Sequence, residues 1–269
     1  MMENKNQKAI VLMPIVPMRG EASHRSEMIT QCLFGDLLNV LEEEGEWCKI
    51  KAEFDSYEGF VEKKQIVYLN DLELEDLQNK KWGTINTPFA MIFRSDSKSS
   101  IVIPAGSQLP LNGRLQIKDV AFTYSPTIVQ VPEKNENEEI FRQDIVEFAL
   151  NFVGAPYLWG GKTLFGLDCS GFVQTLFRTR GINLLRDASM QATQGEDIGF
   201  IELAESGDLV FFGEPEGNIT HVGIYMGEGY IVHASGCVRI DKVDNMGIYI
   251  EATKEYTHKL RSIKNVVNL

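Results

Sequence analysis

The chain has 269 residues, long enough for two or three compact units, and its 43% apolar and 24% charged residues are globular values that exclude extensive disorder. A formal net charge of −12 with no compensating basic stretch excludes nucleic acid as a partner, since phosphate binding is driven by Lys and Arg, and reads as solubility. Four cysteines, at 32, 48, 169 and 237, lack the density or paired spacing of a disulfide scaffold or zinc site, so reduced thiols and no metal are expected.

At the N-terminus, Met1 to Lys8 is polar, and the apolar run Ile10–Val16 is short, broken by Pro14 and without a small-residue cleavage site. No stretch reaches the roughly 18 apolar residues of a membrane span. The chain therefore reads as cytoplasmic, with residues 1–9 as a tail and a monomer as the default state. Short β-rich runs follow at Ile10–Val16, Leu37–Leu41, Trp47–Lys51 and Tyr57–Val61, a spacing that predicts a small β-barrel over residues 10–70. A second β-rich unit is expected over 71–131, with strands at Phe89–Phe93, Ser100–Ile103 and Val120–Tyr124. The charged stretch 132–138 reads as a linker.

From residue 139 to 269 the texture changes. Phe141, Ile145, Phe148 and Phe152 recur at helical spacing up to Gly154, which predicts an amphipathic helix. A second helix is predicted from Cys169 to Arg180, with Phe172, Val173, Leu176 and Phe177 on one face, Asp168 as N-cap and Gly181 as the stop. Strands are predicted at Asp208–Phe212, His221–Met226, Tyr230–Ala234, Val238–Ile240, Ile248–Glu251 and His258–Ile263. Helices first and strands afterwards describe an α+β domain.

Cys169 opens its helix, where the backbone dipole and free N–H groups favour thiolate over thiol. Gly160, Gly161, Gly166 and Gly171 around it let backbone approach closely, as a substrate cleft requires. A cysteine merely packed on an apolar helix face is the alternative. A base is offered by the segment Thr220 to His233. A hairpin centred on Gly227 would set His221 opposite His233 on one sheet face, with Val222, Ile224, Met226, Tyr230 and Val232 on the other, and Gly223 would leave room for the Cys169 helix. An imidazole oriented by a third polar group is what an activated thiol needs. Buried structural histidines, or half of a metal site, remain alternatives. His24 and His258 read as surface residues, and Cys32, Cys48 and Cys237 as packing residues.

Five ordered motifs resemble the NlpC/P60 cysteine peptidases. They are Pro156-Tyr157-Leu158-Trp159-Gly160-Gly161, Gly166-Leu167-Asp168-Cys169-Ser170-Gly171-Phe172-Val173-Gln174, Gly207-Asp208-Leu209-Val210-Phe211-Phe212, His221-Val222-Gly223-Ile224-Tyr225 and His233-Ala234-Ser235. The resemblance implies a papain-like catalytic domain with Cys169 as nucleophile, His221 as base and His233 as orienter, and no cofactor. The two upstream units resemble bacterial SH3 (SH3b) domains, and this domain order is similar to γ-D-glutamyl-L-diamino acid endopeptidases that recycle wall peptides. By that resemblance the partner is a murein peptide, L-Ala-γ-D-Glu-diamino acid, with diaminopimelate or lysine third and a free N-terminal amine. Tyr57, in Tyr57-Glu58-Gly59-Phe60, Asp168, Ser170 and Ser189 would contact it, and Asp168 or Glu27 would face its ammonium. Where the family shows Leu-Pro-Arg-Asp, this chain has Leu184-Leu185-Arg186-Asp187. Two other functions fit the same features: a wall-binding protein anchored by the SH3b units, and an acyltransferase or amidase on the same core.

Overall fold

The computed structural model describes residues 7–131, 138–214 and 216–269. The chain divides into two compact units, Met1–Pro132 and Glu133–Leu269. Of the expected linker only Glu138 is among the described residues, and Gln7 already begins a strand within the expected tail.

In the first unit a seven-stranded sheet runs in the order Met28–Leu33, Ile15–Arg19, Glu58–Glu62, Trp47–Ala52, Leu37–Glu44, Gln7–Ile10, Val67–Tyr68. The single run expected over Ile10–Val16 is two strands, because Pro14 has no N–H to give to a ladder and the chain turns away between them. The strand Met28–Leu33 lacks a clean alternation of apolar and polar residues. Thr30, Gln31, Cys32 and Leu33 are buried in succession, so both of its faces are covered.

Beyond residue 70 comes a helix not expected from the sequence, α1 (Asp71–Gln78). It is held by a capping box in which Asn70 Oδ1 accepts from the Glu73 N–H at 2.9 Å and the Glu73 carboxylate accepts from the Asn70 N–H at 2.8 Å. A four-stranded and a three-stranded sheet follow. Ile10, Leu12 and Phe34 share one apolar cluster with Ile85, Ile103, Leu115 and Phe122, so the segments on either side of residue 70 are packed on a common core. Phe34 meets Phe122 edge-on at 4.9 Å.

The second unit opens with α2 (Glu138–Leu150) and α3 (Cys169–Arg178), with α4 (Ala188–Gln191) following. Phe141 of α2 packs against Phe177 of α3, and Phe152 against Phe172. Gly181, at φ +82°, lets the chain leave α3 through a left-handed conformation.

Strands then run antiparallel in the order Glu196–Ile198, Glu255–Asn265, Leu209–Gly213, Ile219–Gly227, Tyr230–Ser235, Cys237–Asp244, Gly247–Ile250. The long strand Glu255–Asn265 pairs with Leu209–Gly213 through its second half and with Gly247–Ile250 through its first, so six strands close on themselves. Val210, Phe212, Tyr225, Ile231, Val243, Ile248 and Ile263 fill the interior. The architecture is the mixed α+β one expected. Among the described residues no helix is long and apolar enough to cross a membrane.

Candidate active site

Cys169 is placed by the start of α3. The Asp168 carboxylate caps the helix, its Oδ1 accepting from the Gly171 N–H at 2.6 Å while Oδ2 accepts from the Gly160 N–H at 2.8 Å. A side chain at Gly171 would strike the Gly161 carbonyl oxygen, so this close approach of two backbone segments requires glycine. The fully buried Arg186 completes the cap, its Nη2 donating to Asp168 Oδ2 at 2.6 Å and its Nη1 to Asp168 Oδ1 at 3.1 Å and Ser170 Oγ at 2.9 Å. Gln191 of α4 donates to the Ser170 carbonyl at 3.0 Å.

His221 and His233 come from adjacent strands. The turn lies at Glu228-Gly229, with Gly227 opposite Tyr230, and a bulge between Tyr225 and Gly227 takes up one more residue, so His233 stands opposite Gly223 and not opposite His221. The histidines are diagonal neighbours on the same face, and nothing projects between them because residue 223 has no side chain. A Cβ there would lie 2.8 Å from the Cβ of His233 and 2.6 Å from Cδ1 of Ile231. The space Gly223 leaves is thus used by the neighbouring strand, not by the Cys169 helix as expected. His221 Nε2 and His233 Nδ1 are 2.7 Å apart. His233 Nε2 is in turn 3.0 Å from Asp241 Oδ2, a carboxylate also held by Arg239.

These side chains meet at a pocket of ≈230 Å³ lined by Tyr157, Cys169, Thr220, His221, Ala234, Ser235, Gly236 and His258. His258, read from the sequence as a surface residue, stacks on His221 with ring centroids 4.3 Å apart. Closure of the sheet is the reason, since it brings the strand Glu255–Asn265, which begins 20 residues after the hairpin ends, back to the His221 side of the sheet. His24 does lie at the surface, 3.2 Å from Glu62. All four cysteines are reduced thiols. Among the described residues no group of three His, Cys, Asp or Glu side chains could hold a metal ion.

Burial governs the electrostatics. It pushes the Cys169 thiol up to about 11, with the Asp168 charge acting the same way and N–H donors at Val222 and Ser170 opposing. The helix-start effect expected to favour thiolate is outweighed. Burial also holds the His221 imidazole well below its ordinary value, and His233 and His258 add to this. Both shifts favour neutral thiol and neutral imidazole over the ion pair. Replacing His258 by Asn both opens the site to water and removes a neighbouring cation at low pH. The acid limb of kcat/KM should then move to higher pH, and a pH–rate profile of the H258N protein checks it.

The other expected substrate contacts are less gathered. Ser170 is buried beside Cys169 and Ser189 is exposed on α4. Tyr57 is half-buried on the core of the first unit, and Glu27 is exposed just ahead of the strand Met28–Leu33. Asp241 and His258 were not singled out from the sequence. For Asp241 a signal existed: a turn at Gly236 between two predicted strands pairs His233 with Arg239 and puts Asp241 on the same face.

Residues 154–261 match the model of the NlpC/P60 family, and residues 18–66 match that of the bacterial dipeptidyl-peptidase Sh3 domain. The gamma-D-glutamyl-L-lysine dipeptidyl-peptidase of Bacillus subtilis is 32% identical over 76% of this chain and 71% of its own. The protein of the same name from Bacillus cereus is 27% identical over 79% of this chain and 68% of its own. In three dimensions a crystal structure of an NlpC/P60 family protein from Bacillus cereus superposes with a TM-score of 0.81 at 20% identity, covering 97% of this chain and 99% of that one. The fold, the cysteine–histidine pocket and these relatives agree, and the chain belongs to the NlpC/P60 family of cysteine peptidases.

Proposed function

We propose that the chain hydrolyses the γ-D-glutamyl–L-diamino acid bond of peptidoglycan stem peptides that carry a free N-terminal L-Ala, as a step in recycling wall peptides in the cytoplasm. The observation that carries this reading is the shared pocket of Cys169 and His221, with His233 hydrogen-bonded behind His221. Two relatives named for cleaving γ-D-glutamyl-L-lysine support the bond. The third residue of the peptide is diaminopimelate or lysine.

In the proposed reaction His221 takes the Cys169 proton as sulfur attacks the γ-carbonyl carbon. The C=O bond becomes a C–O⁻ that the Cys169 backbone N–H and one further donor stabilise. His221 then returns the proton to the leaving amine as the C=O re-forms and the C–N bond breaks. Water, deprotonated by His221, next attacks the thioester carbon, the C–S bond breaks, and His221 gives that proton back to the Cys169 sulfur. Concerted proton transfer suits a site that favours the neutral form of both groups. Asp168, Ser170 and Ser189 are the proposed substrate contacts. Asp168 already accepts from two backbone N–H groups, Arg186 and the Ser170 hydroxyl, so its pull on the ammonium is through charge.

The test is incubation with L-Ala-γ-D-Glu-L-Lys and its diaminopimelate counterpart, with free diamino acid measured by mass spectrometry. Release is expected from at least one, and acetylation of the alanine amine should suppress it. No release from either, by protein whose Cys169 remains alkylatable, would overturn the reading.

A further inference from the structure

Behind His221 the hydrogen-bonded chain does not stop at His233. Asp241 lies on the next strand, on the same sheet face as Ile231 opposite it, and its Oδ2 is 3.0 Å from His233 Nε2. Arg239 grips both oxygens, Nη2 donating to Oδ1 at 2.8 Å and Nε lying 2.6 Å from Oδ2. His221, His233 and Asp241 are all at least nine-tenths buried, so water does not substitute for these partners. Burial raises the Asp241 carboxyl, but the hydrogen bonds from His233 and Arg239 outweigh it and keep the group ionised.

An ionised carboxylate only accepts hydrogen bonds, so the proton between Asp241 and His233 must sit on His233 Nε2. A neutral imidazole carries one N–H, which leaves His233 Nδ1 as an acceptor. The hydrogen bond at 2.7 Å then needs its proton on His221 Nε2. By the same count the lone pair of His221 is on Nδ1. We propose that Asp241, held by Arg239, is a positioning residue that fixes the tautomer of His221 through His233 and so selects which nitrogen can take the Cys169 proton. The same alignment lets negative charge at Asp241 support the imidazolium formed on His221 during acylation.

This inference rests on His221 being the base, yet the tautomers can be read without turnover. Nitrogen-15 NMR of the histidine rings in the full chain should show both His221 and His233 protonated at Nε2 and bare at Nδ1 near neutral pH. In Asp241→Ala the His233 ring should lose this single pattern, and that of His221 should follow. kcat/KM on the γ-D-glutamyl tripeptide should fall by about 10- to 1000-fold, less than the ~10⁴-fold seen when a directly bonded orienter is removed. Asp241→Glu, which retains a carboxylate, should recover part of the rate. Wild-type protein with His221 protonated at Nδ1 overturns the proposal even if the alanine variant fails to fold. So does a folded Asp241→Ala protein whose ring signals and kcat/KM stay within twofold of wild type. If no tripeptide is cleaved but the tautomers are as stated, the relay stands and the substrate reading fails.

Discussion

Cys169→Ala is expected to lower kcat/KM by at least about 10⁴-fold, as loss of a nucleophile does when its partners act as a unit with it. The fold should survive. Alanine retains the Cβ, is the best helix former, and leaves untouched the cap that Asp168 makes to the Gly171 N–H. Circular dichroism and denaturation midpoint should match wild type, while diamino acid release from the γ-D-glutamyl tripeptide disappears. Activity above about a hundredth of wild type would show that the thiol is not the attacking group. The same site fixes the sign of the pH dependence. His221 accepts a proton only when neutral, and burial depresses its pKa, so kcat/KM should hold through pH 6.5 and fall only as pH drops through that lowered value. Because burial pushes the thiol up to about 11, alkylation of Cys169 in the empty protein should keep rising with pH beyond 9. A plateau reached at neutral pH would instead mean a preformed ion pair.

What could be read from the sequence was whatever is local. The α3 start shows itself through Asp168 two residues ahead of a Ser-Gly pair and an apolar face at 172, 173, 176 and 177, all within one helix. The central strands of the second unit show as short apolar runs bounded by turn residues, because both of their faces are buried. Pairing register is less legible: the turn sits at Glu228-Gly229 and not at Gly227, and together with the one-residue bulge at Tyr225–Gly227, which returns both histidines to one face, it turns an expected direct pair into a diagonal one. His258 was missed for a different reason, since only closure of the sheet by the strand Glu255–Asn265 brings it to the pocket. Helix α1 was overlooked although Asn70 and Glu73 form a capping-box pair, because its buried contact is reduced to Leu77. The pKa of Cys169 is likewise not a local property: the helix start lowers it, and the surrounding packing raises it more.

Arg186→Ala should destabilise the second unit by about 3–5 kcal/mol, the cost of leaving a buried carboxylate without its cation. Arg186 is 1% exposed and Asp168 6%, so water cannot replace the lost guanidinium. Asp168 would retain the Gly160 and Gly171 N–H groups and the long 3.4 Å bond from Ser170 Oγ, which would itself lose its donor at 2.9 Å. Lysine should rescue only partly, because an ammonium cannot span both carboxylate oxygens and the serine in one plane. The effect reaches chemistry through position. Asp168 caps the helix whose first residue is Cys169, so a carboxylate that swings out loosens the turn that holds the thiol in the pocket it shares with His221. A urea midpoint lowered in R186A and partly restored in R186K, with kcat falling in the same order, is the expected result. An unchanged midpoint in R186A would mean that the two backbone N–H groups and the Ser170 hydroxyl hold the carboxylate, and that the cap does not need its arginine.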